Sequence, residues 1–487
     1  MSLKEVNINN LLKIILAVFI LSFIIYPDSN THANSYWQQV STNGLGDATN
    51  TAIFTMENWQ DVLYIGVGRN TGARIYRSTN GNTFTNVSPA DGFGHPELEG
   101  IYDFTAFDGQ LFVSAFDEDD ATSGEVWRSP DGITWTQTGV DGLGNANNDG
   151  FYKMKVFNNQ LYVGSRNPTE GSEIYRTADG ANWNLVPLTA GGFGDANNVG
   201  VWSLETDGGF LYAGTFNAIN GAQLWRSADG TNWNLVLDFS LIDGNNVGIS
   251  TIYTYSNNLY FGTMNFIGGA EIWGWDGANW GWDVGGLGDV NNNCFSIHPV
   301  TVGSSVYFGS RNAITGGELW WANSPNSQYS QIGDDGFGDV NNWALYALTF
   351  KGYLYVGFSN NNSGVEIWRL RSGSSMVITT KILAQGQEGS NYTAILEIVG
   401  GTNPYTWAIV SGSLPKGLSL NNSTGEIFGI PEESGDFEFV VEVQDSGKKQ
   451  QTARKTFILK IIAGVSDNTD ESNSIRGITI LPQTGKN

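Results

Sequence analysis

The chain is poor in cysteine and in positive charge, and each shortage excludes a class of protein. Its 487 residues include one cysteine, so no intramolecular disulfide can form and packing must stabilise the fold. We interpret Cys294 as a small buried hydrophobic residue rather than a nucleophile. With 24 Lys and Arg against 48 Asp and Glu, the net charge of −24 repels phosphate backbones and argues against nucleic-acid binding.

Sequence motifs of several common chemistries are also missing. We find no HExxH zinc motif, no Gly-x-Ser-x-Gly elbow, no phosphate-binding loop and no cluster of Cys and His with metal-ligand spacing. No long amphipathic helical pattern follows the N-terminal segment. The chain is instead rich in glycine (63 residues) and in aromatic residues (13%), which is typical of a turn-rich all-β protein.

Residues 1–33 predict an export signal. Lys4 and Lys13 supply positive charge, residues 11–26 form an apolar stretch, and Thr31-His32-Ala33 offers small residues for cleavage. An uncleaved membrane anchor is the alternative. Both interpretations place the body of the protein outside the cytoplasm.

Residues 37–372 contain a repeat of about 50 residues that occurs seven times. The copies share a short apolar run such as Leu161–Gly164 and a strand such as Glu366–Arg369. Most copies also have a Gly-Leu/Phe-Gly turn and a turn of the form S-x-D-G-x-x-W or a weaker variant of it. Short strands repeated at this spacing indicate a β-propeller. The sequence therefore predicts seven blades, each with four strands that we name A to D in chain order.

The N-terminal strand is predicted to complete the seventh blade. The seventh copy has no S-x-D-G turn after Trp368, whereas Trp37-Gln38-Gln39-Val40 precedes the first copy. A strand from the start of the chain would supply strand D of the last blade. That pairing would close the ring and remove an exposed sheet edge.

The S-x-D-G turns at Ser129–Trp135, Thr177–Trp183 and Ser227–Trp233 resemble the Asp boxes of sialidases and other extracellular β-propellers. The resemblance implies a hairpin between strands C and D. In such a turn the Asp carboxylate accepts backbone N–H bonds and the Trp packs between blades. We therefore assign these turns a structural role.

Residues 376–463 are similar to the immunoglobulin-like (cadherin-like) domain of bacterial surface proteins. The similarity rests on Pro404-Tyr405-Thr406-Trp407, on the segment Leu414–Leu418 and on the segment Gly425–Gly429. It implies a C-terminal β-sandwich that acts as a spacer or adhesive module. The predicted fold class is thus all-β, a seven-bladed β-propeller plus a C-terminal Ig-like β-sandwich.

Residues 464–487 are predicted to be a polar spacer that carries a sorting motif. Its residues Leu481, Pro482, Thr484 and Gly485 resemble the LPxTG signal that sortases cleave to join a protein to the cell wall. The family pattern continues with an apolar span and a basic tail, which do not follow here. We expect a truncated C-terminus, in which case a sortase is a partner.

The loops from strand D to the next strand A are candidate calcium sites. They place Asp and Asn oxygens on glycine-containing turns, and such oxygens suit Ca²⁺. The best candidates are Asp195, Asp289 and Asp339 with Asn197, Asn291 and Asn341. The alternative is that these side chains cap their own backbone turn.

Ligand-binding residues are better sought where the blades differ. Arg69, Arg166 and Arg311 precede an Asn that recurs after strand B, and Asp117 replaces that Asn in the second blade. Three arginines at a propeller mouth would suit a carboxylate or another anion, although they could equally pair with the acidic D–A loops. Trp202 and the other strand-A aromatics could stack on sugar rings or pack between blades.

Two functions remain open. The first is an exported, monomeric cell-surface protein whose propeller face binds an extracellular glycan or a surface protein. The second is an extracellular glycan-active hydrolase. A sialidase is the less favoured form, because the sequence has no R-I-P segment and no assignable Tyr/Glu pair, and seven blades are predicted where that family has six. The fold itself does not decide between these functions.

Overall fold

The structure is a computed structural model that describes residues 37–464 except 70–71, 90, 96–97, 118–122, 256–257, 276–279, 283–284, 296–298, 303–304, 323–328, 352, 371–376, 379, 381–382, 397, 400–403 and 447–449. The predicted export signal and sorting motif lie outside the described residues. The chain divides into two compact parts after Ser372, and both are all-β. Within the described ranges, no helix has the length and hydrophobicity needed to cross a membrane.

The first part consists of seven repeat units of antiparallel strands. β1 (Trp37–Gln39) precedes unit 1. Units 1 to 4 contain β2 (Ala52–Trp59), β3 (Val62–Gly68), β4 (Arg74–Ser78) and β5 (Thr85–Asn86); β6 (Gly100–Phe107), β7 (Gln110–Phe116), β8 (Glu125–Ser129) and β9 (Thr136–Gln137); β10 (Gly150–Phe157), β11 (Gln160–Arg166), β12 (Ile174–Thr177) and β13 (Asn184–Leu185); and β14 (Gly200–Asp207), β15 (Phe210–Phe216), β16 (Gln223–Ser227) and β17 (Trp233–Asp238).

Units 5 to 7 follow the same order, with the first strand of unit 6 in two pieces. They contain β18 (Gly248–Tyr255), β19 (Asn258–Met264), β20 (Ile272–Trp275) and β21 (Trp280–Trp282); β22 (Cys294–Phe295), β23 (Val300–Val302), β24 (Ser305–Arg311), β25 (Leu319–Ala322) and β26 (Ser330–Ile332); and β27 (Asn342–Phe350), β28 (Tyr353–Asn360) and β29 (Glu366–Leu370). Short 3₁₀ turns precede the strands A at Asn43–Gly46, Asp91–Gly94, Asp141–Gly144, Gly191–Gly194, Phe239–Leu241, Gly285–Gly288 and Asp335–Gly338.

The turns between strands A and B of units 1 to 4 are tight hairpins. Asp108 and Gly109 have φ values of 47° and 73°, and Asn158 and Asn159 have φ values of 48° and 59°. Two consecutive residues in the left-handed region match the twist of the flanking strands. Asn, Asp and Gly tolerate that conformation, which explains their use here.

The N-terminal strand β1 pairs with β29, which confirms the predicted pairing. Trp37 lies opposite Leu370 and Gln39 lies opposite Trp368 in an antiparallel ladder. Unit 7 also contacts unit 1 directly. The backbone N–H of Asn360 donates to the Thr51 carbonyl at 2.8 Å.

The S-x-D-G turns have the hydrogen bonds that the sequence predicted. Asp131 Oδ1 accepts bonds from the backbone N–H groups of Ile133 (2.8 Å) and Thr134 (2.7 Å). The Trp that ends such a turn reaches the preceding unit, since Trp183 Nε1 lies 3.3 Å from Thr138 Oγ1. In unit 3 the pairing of strand D begins at Asn184, one residue after this Trp. The Trp183 side chain contacts the preceding unit instead.

The second part contains β30 (Val377–Ile378), β31 (Gly386–Gln387), β32 (Tyr392–Ile395), β33 (Ile398–Val399), β34 (Thr406–Gly412), β35 (Leu418–Leu420), β36 (Glu426–Gly429), β37 (Gly435–Gln444) and β38 (Thr452–Ile462). These strands form sheets in the orders β31-β38-β37-β34, β32-β36-β35 and β30-β33. The core between the sheets includes Trp407, Ile427, Phe439 and Phe457, all nearly inaccessible to solvent. This part is Ig-like, as predicted.

Candidate functional site

The Asp residues of the D–A loops bind their own turn and a neighbouring loop. Asp195 accepts hydrogen bonds from the backbone N–H of Asn197 at 2.9 Å and from the side-chain amides of Asn217 (3.1 Å) and Asn220 (3.0 Å). Burial alone would raise the pKa of Asp195, but these hydrogen bonds hold it below its ordinary value. Asp195 therefore ties its own loop to the loop between strands B and C.

The other predicted calcium ligands have the same geometry. Asp289 accepts bonds from Asn291 and, at 2.9 Å, from the side chain of Asn312. Asp339 accepts bonds from Asn341 and, at 3.0 Å, from Asn360. In the part of the chain that the structure describes, no three His, Cys, Asp or Glu side chains form a group that could hold a metal ion. Calcium binding stays a prediction.

Behind these loops lies a buried network that recurs from unit to unit. In unit 6, Asn292 Nδ2 donates to Glu318 Oε2 at 2.6 Å, and Trp320 Nε1 donates to the same oxygen at 2.8 Å. Burial of the carboxyl is the main reason that the pKa of Glu318 rises to about 7. In unit 4 the neutral Gln223 accepts the equivalent bonds from Asn198 and Trp225. The network therefore belongs to the scaffold.

Each candidate arginine lies beside an acidic or aromatic side chain, although the Asp47 oxygen near Arg69 is bound more closely by Arg74, at 2.9 Å. Arg166 Nη1 forms an ion pair with Asp149, and both side chains are buried. Arg69 Nη1 lies 3.6 Å from Asp47 Oδ2, and the Arg311 guanidinium lies 4.8 Å from the centre of the Trp343 ring. Pairing with acidic groups was one of the two alternatives that the sequence left open. The binding of an anion by these arginines stays a prediction.

The prediction that Arg69 and Arg166 occupy equivalent positions in their units is wrong. Strand B of unit 1 ends at Gly68, which pairs with Ala52 as Arg166 pairs with Gly150 in unit 3. The backbone N–H of Arg69 donates to Glu99 O at 2.9 Å. The recurring Asn makes that bond in other units, and Asp117 donates in the same way to Asp149 O at 2.8 Å. Arg69 thus occupies the position of the recurring Asn.

The strand-A aromatics pack against one another and against strand B. Trp202 stacks on Phe216, with ring centroids 4.4 Å apart and ring planes 13° apart. Tyr102 and Tyr152, from neighbouring units, have centroids 4.4 Å apart and are almost completely buried. This geometry agrees with packing between units, the second alternative left open by the sequence.

A cavity of about 400 Å³ lies along the second half of the strands A, toward the A–B turns. We call it the strand-A cavity. Its wall comes from β2, β6, β10, β14 and β18, together with Pro299 of unit 6. The charged wall residues are Glu57, Asp103, Lys153, Lys155 and Glu205. The uncharged polar wall residues include Thr105, Ser203, Ser250, Thr251 and Tyr253.

Most of the charges in this wall are paired between units. Lys153 Nζ lies 2.6 Å from Asp103 Oδ1, and both side chains are buried. Asp103 Oδ2 also accepts a bond from the backbone N–H of Met154 at 2.9 Å. Lys155 forms an ion pair with Glu205 of unit 4. These bonds fix the positions of four charged side chains around the cavity.

Glu57 and Tyr253 differ from the other wall residues. Burial, followed by the nearby negative charge of Asp103, raises the pKa of Glu57 to about 7, against the opposing effect of Lys153 and Lys155. The Tyr253 hydroxyl is shielded from solvent and forms no hydrogen bond with the described residues. A buried hydroxyl without a partner is costly. The cavity therefore contains two polar groups that a ligand would satisfy.

One part of the chain matches the model of a known family. Residues 375–461 match the family model described as Putative Ig domain. No curated protein matches the chain. The match covers the second compact part and agrees with its Ig-like fold.

Solved structures resemble the chain only distantly. The extracellular domains of a putative hybrid two component system and of a putative one component system, both from B. thetaiotaomicron, match with TM-scores of 0.45 and 0.48 and identities of 13% and 10%. Each match covers 88% of this chain, and this chain spans 58% and 59% of those two proteins. The polysaccharide lyase Uly1 matches with a TM-score of 0.44 and 10% identity, covering 73% of this chain and 95% of that one.

None of the residues predicted from the sequence to bind a ligand lines the strand-A cavity. Those predictions rested on differences between repeats in the B–C and D–A loops, although strand A differs as much. At one position of this strand, successive units carry Glu57, Thr105, Lys155, Glu205 and Tyr253. Strand A contacts both neighbouring units, so charged side chains on it could have indicated a site from the sequence alone.

Proposed function

We propose that residues 37–370 form a closed seven-bladed β-propeller. The pairing of β1 with β29 supports this, because it completes the last unit with the first strand of the chain. The contacts of β27 and β28 with β2 support it as well, since they bring unit 7 against unit 1. Closure would leave no unit with an uncovered face.

The protein functions as an exported cell-surface binding protein, with the Ig-like domain as a spacer. The observation that carries this proposal is the strand-A cavity, about 400 Å³ in volume, with a wall of charged and hydroxyl side chains from five successive units. Its volume lies in the range of small-molecule sites. A wall of this polarity fits a ligand with many hydroxyl groups, and a segment of an extracellular glycan is such a ligand.

A glycan-active hydrolase is the second candidate. Glu57 favours it, because a carboxyl with a pKa of about 7 can donate a proton near neutral pH. Glycoside hydrolysis requires a second carboxyl group that is free to act as a base or nucleophile. Asp103 is held by Lys153 and by the Met154 N–H, and Glu205 is paired with Lys155. Binding is therefore the better-supported function.

A glycan-binding and turnover screen on the full chain, with and without Ca²⁺, tests the proposal. Ala106 lines the cavity and is exposed, so Ala106→Trp should fill the cavity without disturbing the core. Ala181→Trp is the matched control, because Ala181 is an exposed residue of an S-x-D-G turn away from the cavity. We expect Ala106→Trp to abolish glycan binding and Ala181→Trp to retain it. Equal binding by both variants would place the site elsewhere, and released sugar would favour the hydrolase.

A further inference from the structure

The strand-A cavity holds one carboxyl group without a counter-charge. Lys153 is paired with Asp103 and Lys155 with Glu205, so both lysines of the wall already have acidic partners. Glu57 forms no ion pair with any residue that the structure describes. When Glu57 is ionised, the wall carries one uncompensated negative charge.

The groups that face Glu57 come from the neighbouring units. Asp103 of unit 2 opposes its ionisation, and Lys153 and Lys155 of unit 3 favour it. Since each lysine also faces its own acid, burial dominates and the pKa of Glu57 is about 7. Glu57 is therefore about half protonated at neutral pH, and an entering cation would shift it to the ionised form.

We propose that the strand-A cavity selects saccharides that carry a free amino group, with the ammonium group paired to the Glu57 carboxylate. This inference rests on the proposed carbohydrate-binding function. An ammonium group supplies the counter-charge that the wall lacks, and a charge-assisted hydrogen bond to a carboxylate is stronger than a neutral one. The Tyr253 hydroxyl, which has no hydrogen-bond partner among the described residues, is available to a sugar hydroxyl.

The overall charge favours the same ligand. With a net charge of −24, the protein attracts cationic ligands and repels anionic ones such as uronic-acid polymers. Binding of the ammonium group changes the number of protons on the protein. The protonated Glu57 carboxyl loses its proton to the buffer as the ammonium group enters, so the complex contains a carboxylate, an ammonium ion and one proton fewer.

Calorimetric titration of the full chain tests the inference. The probe is a tetramer of glucosamine, and the matched ligand is a tetramer of N-acetylglucosamine, which has the same ring but no positive charge. Glu57→Gln keeps the shape of the protonated side chain and removes its charge. Asp108→Asn is the control, because it removes one negative charge at an exposed A–B turn outside the cavity wall.

We expect the glucosamine tetramer to bind at least about tenfold more tightly than the acetylated tetramer. Glu57→Gln should remove that preference, and Asp108→Asn should retain it. Titration near pH 6.5 in buffers of different ionisation enthalpy should show a net release of about half to three-quarters of a proton in the wild-type chain and none in Glu57→Gln.

Other outcomes separate this inference from the proposed function. Equal binding of the two tetramers, unchanged by Glu57→Gln, would overturn the amine preference and leave glycan binding intact. Failure of every oligosaccharide to bind would overturn both. Binding of a tetralysine peptide in place of the glucosamine tetramer would retain the recognition of an amine by Glu57 but overturn the saccharide as its carrier.

Discussion

Gly81 lies directly against the hydroxyl group of Tyr355, so that a Cβ atom added to Gly81 would overlap that hydroxyl. Gly81 belongs to the turn between strands C and D of unit 1, and Tyr355 belongs to strand B of unit 7. The same contact joins consecutive units, in the pairs Gly132 with Tyr64, Gly180 with Phe112 and Gly230 with Tyr162. Unit 1 therefore packs on unit 7 as each of units 2 to 4 packs on the unit before it.

This relationship predicts that Gly81→Ala destabilises the protein. The control is Gly109→Ala, because Gly109 has almost the same φ (73° against 72°) but no atom lies within 4 Å of its added Cβ. Backbone strain should cost each variant about 1–2 kcal/mol. Overlap with Tyr355 should add about 1–3 kcal/mol for Gly81→Ala. Urea unfolding measures the difference, and equal losses would mean that the Tyr355 hydroxyl moves aside at no cost in stability.

A second prediction concerns the buried ion pair between Arg166 and Asp149. Arg166→Met would leave a buried carboxylate without its cation, and we expect a loss of about 3–5 kcal/mol in the free energy of unfolding. Adding Asp149→Asn should restore much of that loss. If Arg166→Met leaves stability unchanged and weakens the binding of sulfate or a carboxylate ligand, the predicted anion-binding role of Arg166 is correct instead.

The features that could be predicted from the sequence are the local ones. The hairpins at Asp108-Gly109 and Asn158-Asn159 follow from residues that tolerate positive φ, and the turn around Asp131 follows from hydrogen bonds within four residues. The pairing of Trp37 with Leu370 was also predictable, because the seventh repeat lacks its fourth strand and one additional strand precedes the first repeat.

The strand-A cavity could not be predicted from the sequence in the same way. In strand A of units 1 to 5 a bulge shifts the register after the second residue, for example between Ile101 and Asp103 in unit 2. A bulge changes which side chains face the neighbouring strands, so simple alternation does not indicate that Asp103 lines a cavity. The position of Arg69 was misjudged for a related reason, since a shift of one residue after strand B moves it to a different site.

The calcium prediction can be tested through the D–A loops. Because the Asp195 and Asp289 oxygens already accept amide hydrogen bonds, we expect millimolar Ca²⁺ to leave the melting temperature unchanged relative to EDTA. Asp195→Asn should lower stability equally in both conditions, because it places an amide beside the donors Asn217 and Asn220. A rise in melting temperature with Ca²⁺ that Asp289→Asn abolishes would instead establish the loop as a calcium site.

The buried glutamates predict how stability depends on pH. Burial is the main cause that raises the pKa of Glu318 to about 7 and that raises the pKa values of Glu125 and Glu366. A carboxyl whose pKa is higher in the folded state stabilises the fold fully below its unfolded pKa, near 4.5. That stabilisation is lost as the pH rises through 7. We therefore expect a higher melting temperature at pH 5 than at pH 8.

Glu318→Gln isolates one of these groups. A glutamine oxygen can accept the bonds from Asn292 and Trp320, as Gln223 already does in unit 4, so the variant should fold. It should lose stability less steeply than the wild type between pH 5 and pH 8, because it has no proton to release. Glu438→Gln, at an exposed position of the Ig-like domain, should keep the wild-type slope. Equal slopes in the wild type and Glu318→Gln would mean that Glu318 ionises in the folded protein as readily as in the unfolded chain.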